Sequence, residues 1–215
     1  MFEKIMQNLY ILPSLGASSN IFLIKSKENA LIDTGLEADS KRLEQALEKE
    51  GIAPKDISLI LHTHGHADHI GGSILFPSAE KWMSKFDGAL VNEKDDSFVL
   101  ASWFNQTHYP KIKNFYKKNQ IFEFDNFSLK VIETPGHTHG SVSFYDEKNK
   151  ILFSGDTLFK GTIGRYDLKF SDKQELSQSI KKISDLKFDF LFPGHGAILL
   201  KNQKENINAV FRLLE

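Results

Sequence analysis

Apolar residues recur along this chain in two rhythms. In the first third, QNLYILP, NIFLIKS and NALIDTG are short runs of large and β-branched apolar side chains, with the turn-forming SLGASS between the first two. They predict strands. The rhythm changes in ADSKRLEQALEKEG. There Leu43, Ala46 and Leu47 recur at helical spacing, Asp39 or Ser40 can cap the start and Gly51 follows the end. ISLIL is a compact apolar run, the pattern of a strand buried on both faces. Strands return in QIFEFD, FSLKVIETPG and SVSFYDEKNKILFSGD, with turns at Asp125-Asn126 and Glu147-Lys148-Asn149. SDKQELSQSIKKISDL reads as a helix with Leu176, Ile180 and Ile183 on one face. FDFLFPGHG reads as a last strand, and NQKENINAVFRLLE as a closing helix with Ile207, Val210, Phe211 and Leu214 inward.

The stretch from about 80 to 119 fits neither rhythm. It mixes aromatics with charge and contains Pro110. It reads as mostly helical with interruptions, an insertion or lid. Its aromatics Trp82, Phe86, Trp103, Phe104 and Tyr109 are expected in the core more than on a substrate wall. No low-complexity linker or repeat interrupts the chain, so residues 1–215 read as one domain of strands with helices packed outside. The hairpin-like grouping predicts mixed or antiparallel sheets.

Bulk properties narrow the function. Of 215 residues, 40% are apolar and 26% charged, ordinary for a globular protein. A formal charge of -1 supplies no strong field for nucleic acid or acidic membranes, so a small-molecule substrate is expected instead. The absence of cysteine excludes disulfides, thiolate ligands and a cysteine nucleophile. MFEKIMQNLYILPS does not read as a signal peptide, and no apolar run is long enough to span a bilayer, so a cytoplasmic location is expected. Nothing in the pattern assigns an oligomeric state.

The candidate chemistry lies in LHTHGHADHIGG, directly after the ISLIL strand. It holds His64, His66, Asp68 and His69. TPGHTHG adds His137, FSGDTLF adds Asp156 and FPGHGA adds His195, each at or just after a predicted strand end. Neutral imidazole and carboxylate suit zinc, iron or manganese. Seven such donors exceed the needs of one tetrahedral ion with an open position. They suit two divalent ions about 3.5–4 Å apart with Asp156 as a bridge. His62 and His139 fall outside this pattern and are expected behind the ligands or on the surface. His108 has no supporting context.

HTHGHADH, followed in order by His137, Asp156 and His195, resembles the ligand signature of the metallo-β-lactamase superfamily, and LIDTG resembles its early strand-end aspartate, here Asp33. The resemblance runs from about residue 20 to 196. It implies an α/β fold, a four-layer αββα sandwich with the metal site at one edge between the sheets. It further implies one metal on His64, His66 and His137, a second on Asp68, His69 and His195, and Asp156 shared. Asp68 would also orient the attacking hydroxide, and Asp33 would steady the ligand loop from behind. GDTLFKGTIGRYDL resembles the corresponding stretch of glyoxalase II, which makes Arg165 and Tyr166 candidate substrate contacts. The family's tyrosine position there holds Asp167, and GRYD equally invites a structural ion pair of Arg165 with Asp167 or another acid. The chain also ends about one helix after His195, which implies a shorter glyoxalase II-like hydrolase of a small thioester or ester.

HADHIGGS and GRYD resemble persulfide dioxygenases as well, which implies the alternative of one iron on His64, His137 and Asp156. A phosphodiesterase or nuclease of the same superfamily and a non-catalytic metal-binding module are further alternatives.

Overall fold

The computed structural model describes residues 1–201 and 203–214. The ends expected for the closing helix, Asn202 and Glu215, and the inward side chain expected of Leu214, lie outside the described residues.

Two sheets face each other. The first has seven strands in chain order: β1 (Glu3–Met6), β2 (Leu9–Leu12), β3 (Ile21–Ile24), β4 (Asn29–Ile32), β5 (Ile57–Leu61), β6 (Glu80–Met83) and β7 (Asn114–Phe115). β1 to β4 pair antiparallel; from β4 onward the pairs are parallel. The second sheet holds β8 (Ile121–Glu123), β9 (Ser128–Glu133), β10 (Val142–Asp146), β11 (Ile151–Gly155) and β12 (Phe190–Pro193). It is antiparallel until β12 joins β11 in parallel.

Strand alternation builds the layers. Leu9, Ile11, Phe22 and Ile24 point to the same side as Phe144, Phe153 and Phe192 of the other sheet, forming one core between the sheets. Phe22, Phe153 and Phe192 meet there with ring centroids 5.1–5.5 Å apart. Each such buried ring contributes roughly 1.5–3 kcal/mol by leaving water. The intervening residues Leu12, Ile21, Leu23 and Leu31 face the other way, onto Leu43, Ala46 and Leu47 of helix α1 (Ser40–Lys49). The short helices α2 (Ala67–Ile70), α3 (Lys85–Asn92) and α4 (Asp96–Val99) follow. On the far side of the second sheet, Leu152 and Leu191 meet Leu176, Ile180 and Ile183 of α5 (Lys173–Ser184) and Ile207 and Val210 of α6 (Gln203–Leu214). The result is the expected αββα sandwich. Helix α5 starts where it does because Asp172 Oδ1 accepts the Glu175 N–H at 2.8 Å.

Two expectations change. The 80–119 stretch is not mostly helical. It begins and ends as strands of the first sheet, with only short helices between. Trp82 and Met83 pair with neighbours on the sheet edge, which outweighs the weak helical pattern around them. An N-terminal strand, Glu3–Met6, also precedes the first one expected. It hairpins onto β2 through Asn8 in the left-handed region. No described helix is long and apolar enough to cross a membrane.

Candidate metal centre

Five strand ends deliver the seven candidate donors and the aspartate behind them. Asp33 follows β4. His64 and His66 lie in the loop after β5, and Asp68 and His69 sit on α2. His137 follows β9, Asp156 follows β11 and His195 follows β12. Side chains as distant in sequence as His66 and His137 are thereby brought together.

The donors fall into two halves. In the first, His66 Nδ1 lies 3.1 Å from His64 Nε2 and 3.0 Å from His137 Nε2. In the second, His195 Nε2 lies 3.1 Å from Asp68 Oδ2 and 3.2 Å from His69 Nε2. Asp156 stands between them. One of its oxygens is 3.3 Å from His69 Nε2; the other is 3.6 Å from both His137 Nε2 and His195 Nε2. Nitrogens bound to one tetrahedral zinc at about 2.0–2.1 Å would stand roughly 3.3–3.4 Å apart, close to these separations.

Hydrogen bonds behind the rings fix which nitrogen faces inward. His137 Nδ1 is 2.8 Å from the Arg165 carbonyl oxygen, an acceptor, so Nδ1 carries the proton and Nε2 a lone pair. His69 Nδ1 donates to Asp33 Oδ2 at 2.8 Å. Thr63 spends its only hydroxyl proton on Asp33 Oδ2, so its oxygen accepts from His64 Nδ1 at 3.1 Å. His64 and His137 therefore turn their Nε2 lone pairs toward His66 Nδ1. His66 Nε2 and Asp156 Oδ1 are buried without any hydrogen-bond partner. Converging lone pairs and a donorless buried carboxylate oxygen are unfavourable unless a cation sits among them, so these residues fit divalent metal ions.

The electrostatics agree. Burial and neighbouring imidazoles push His64 well down; burial and His137 push His66 down to about 3, which keeps both in the neutral, ligating form. Burial would also lower His69, but Asp156, Asp33 and Asp68 outweigh it and push its imidazole well up. That is a pocket of negative charge seeking a positive ion. Burial would raise Asp156, yet His69 and His195 hold it far below the ordinary carboxylate range.

Asp33 adopts φ +56°, in the left-handed region that aspartate tolerates better than most residues. Besides its bonds to His69 and Thr63 Oγ1, it accepts the Thr63 N–H at 2.9 Å. Burial opposes its ionisation, but the charge of His69, its hydrogen bond and the nearby His62 imidazole hold the Asp33 carboxyl at about 2. Gly194 permits the tight approach of the His195 loop: a Cβ there would lie 2.2 Å from Asp156 Oδ1 and 2.7 Å from His69 Cε1.

The remaining candidates are scattered. Arg165 lies in the loop after Asp156, but its fork is taken by Asp167 at 2.9 and 2.8 Å in an exposed pair. Tyr166 is exposed beside it, and both line a shallow cleft with Ile163 and Leu213. His62 is buried behind the ligands, with Nε2 3.2 Å from Ser73 Oγ. His139 is at the surface, paired with Glu175 at 2.7 Å. His108 is half-buried. Phe104 and Tyr109 pack against the α3–α4 cluster and Trp82 against the inter-sheet core. Phe86 and Trp103, expected inside, are exposed, because the short helices that carry them lie at the surface.

Two residues at the site escaped sequence reasoning. Asn20 is fully buried; its Nδ2 donates to Pro193 O at 2.9 Å and Gly196 O at 3.0 Å, so it pins the His195 loop. Asp87 is fully buried beneath the first half. Its only sequence signal is Ser84 three residues earlier, the spacing of a helix cap.

Comparison with known proteins accords with this geometry. The profile of the metallo-beta-lactamase superfamily matches residues 15–195. The chain belongs to that superfamily. A probable metallo-hydrolase of Methanocaldococcus jannaschii is 35% identical over 190 residues, covering 85% of this chain and 90% of the relative. A hydroxyacylglutathione hydrolase of Haemophilus influenzae is 31% identical, with 94% and 96% covered. Among solved structures, a protein crystallised in a di-iron-bound form superposes with a TM-score of 0.72 at 28% identity, covering 88% of this chain and 93% of the other. Superfamily membership makes this a metallo-hydrolase fold with a candidate His/Asp metal site at the sheet edge.

Proposed function

We propose that the chain is a dinuclear metal-dependent hydrolase of a small thioester or related ester, similar to glyoxalase II. One observation carries the reading: seven imidazole and carboxylate donors converge, and the Nε2 lone pairs of His64 and His137 are turned inward. His64, His66 and His137 would hold one ion, Asp68, His69 and His195 the other, and Asp156 would contact both. Zinc suits this nitrogen and oxygen donor set best, with iron or manganese as the alternatives. Bound there, the ions would make water a nucleophile at neutral pH and take up charge developing on the substrate carbonyl oxygen.

The chain's own groups supply the rest. The His195 and Asp68 side chains are 26% and 18% exposed, whereas His69 is fully covered, so substrate approaches over the second half. Asp68 is the open carboxylate there and would orient the attacking water. Asp33 keeps His69 in the tautomer whose Nε2 lone pair faces the site. The thiol released has an ordinary pKa near ~8.5, so it departs as thiolate without a strong general acid. The cleft of Ile163, Arg165, Tyr166 and Leu213 would receive the leaving group. Exposed ion pairs are weak, so a carboxylate on that group could displace Asp167 from Arg165. The relative described as a hydroxyacylglutathione hydrolase supports a thioester substrate.

Metal analysis of the purified protein, joined to a panel of acyl-thiol and ester substrates, tests the reading. Two metals per chain with thioester turnover are expected. One iron per chain with oxygen uptake would replace this reading with the persulfide dioxygenase-like one.

A further inference from the structure

We infer that Asp87 is a positioning residue for the first half of the metal centre, clasping the loop of His64 and His66 to the loop of His137. This rests on the cluster being a metal site.

The backbone of Asp87 is set by α3, where its N–H donates to Ser84 Oγ at 3.2 Å. Its side chain is fully buried. Oδ2 accepts two hydrogen bonds, from Gly65 N–H at 3.0 Å and from Thr138 Oγ1 at 2.8 Å. Gly65 separates His64 from His66, and Thr138 follows His137. The two loops leave different sheets, after β5 and after β9, so one oxygen joins the two sides of the sandwich at the ligands.

The parts around this clasp are tightly packed. Thr138 N–H donates to Ser141 Oγ at 3.1 Å, which closes the second loop on itself. A Cβ on Gly65 would come 2.7 Å from the Phe98 ring, and one on Gly140 would come 2.1 Å from Asp87 Oδ1. Both loops are therefore closely packed at these glycines. Asp87 hydrogen-bonds to none of the ligand imidazoles, so it acts on them through the backbone that carries them.

The charge has a second consequence. Among the described residues, no lysine or arginine pairs with Asp87. A buried carboxylate without a cation is costly, and burial pushes this one up to about 6 against its hydrogen bonds from Thr138 and Gly65. At neutral pH it is still an anion. It lies behind the half whose own ligands are three neutral imidazoles, where a nearby negative charge favours a bound dication.

The test is a zinc titration of the metal-stripped, full-length chain against a chromophoric chelator. Asp87→Asn keeps the shape and removes the charge; Thr138→Val removes one arm of the clasp. We expect one zinc site to weaken about 10- to 100-fold in Asp87→Asn and less in Thr138→Val, while the other site changes less than about twofold. His66→Ala should leave only the second site, and adding Asp87→Asn to it should not weaken the remaining zinc further. Two sites of unchanged affinity in both variants, or an equal loss at both sites, would overturn the inference. Should Asp87→Asn fail to fold, the Thr138→Val titration alone decides between these outcomes. A wild-type chain that takes up no zinc ends the metal-centre reading, and this inference falls with it. A wild-type chain with two sites and an indifferent Asp87→Asn sinks only the role of Asp87.

Discussion

The two halves of the candidate centre are built differently. His64, His66 and His137 are each less than 5% exposed and offer nitrogen alone. The second half adds a carboxylate, Asp68, and opens to solvent at Asp68 and His195. Each half also has a buried aspartate behind it, and these two differ as sharply. Asp33 accepts from Thr63 twice and from His69, and its carboxyl is held at about 2. Asp87 takes two hydrogen bonds from uncharged groups, and its carboxyl rises to about 6. Burial pulls both upward. The ligand imidazole beside Asp33 decides the difference, since Asp87 has no such partner. The closed half is suited to hold an ion, and the open half to present one to substrate.

Asp156 belongs to neither half, so its loss should show the largest effect. Asp156→Ala is expected to lower metal content to one ion or fewer per chain and turnover by about 10³-fold or more, read by metal analysis and thioester kinetics. A variant with full occupancy and full activity would leave the halves independent and Asp156 without a shared role. A smaller, one-sided effect is expected from Asp33→Asn. It removes the charge and one of the two acceptor oxygens that serve Thr63 and the His69 tautomer, so affinity at the second site should fall about 10- to 100-fold. The first site should lose less, because Asp33 reaches His64 only through Thr63. Equal losses in a two-site titration would contradict that asymmetry.

The same contrast explains what the sequence could reveal. Every proposed ligand sits at or just after a strand end inside a short, recognisable string, and so does Asp33. The four layers were implied by the superfamily resemblance, and strand alternation builds them, with Phe22 and Leu23 facing opposite cores. Asn20 and Asp87 carry no such mark. Their partners lie far along the chain, Pro193 and Thr138, and only folding brings them close. The 80–119 stretch misled for a different reason. Trp82 and Met83 lie on a strand of the first sheet, whereas Val91, Phe98 and Val99 lie on short helices, so no single period runs through it. Arg165 was visible as a cation, and the nearness of Asp167 in GRYD invited the ion pair that the structure forms.

The finest test of the comparison is the pH dependence of stability in the metal-stripped protein. Asp87 moves from 3.8 when unfolded to about 6 when folded. The folded state therefore binds its proton more tightly, and this contribution favours folding below pH 4. It is lost as pH rises from 4 through 6, a change of about 2 kcal/mol. Asp33 runs the other way: its carboxyl is lowered from 3.8 to about 2, so its contribution is complete above pH 4 and lost only as pH falls through 2. Between pH 4 and 7 the two can thus be separated. His139 is the titratable group whose charge acts on Asp87, and it opposes the rise. Asp87→Asn carries no such proton. The stability of wild type minus that of Asp87→Asn, from chemical denaturation at each pH, should fall by about 2 kcal/mol between pH 4 and 7. A flat difference would mean that Asp87 ionises as freely as a surface carboxylate, and the contrast between the two buried aspartates would go with it.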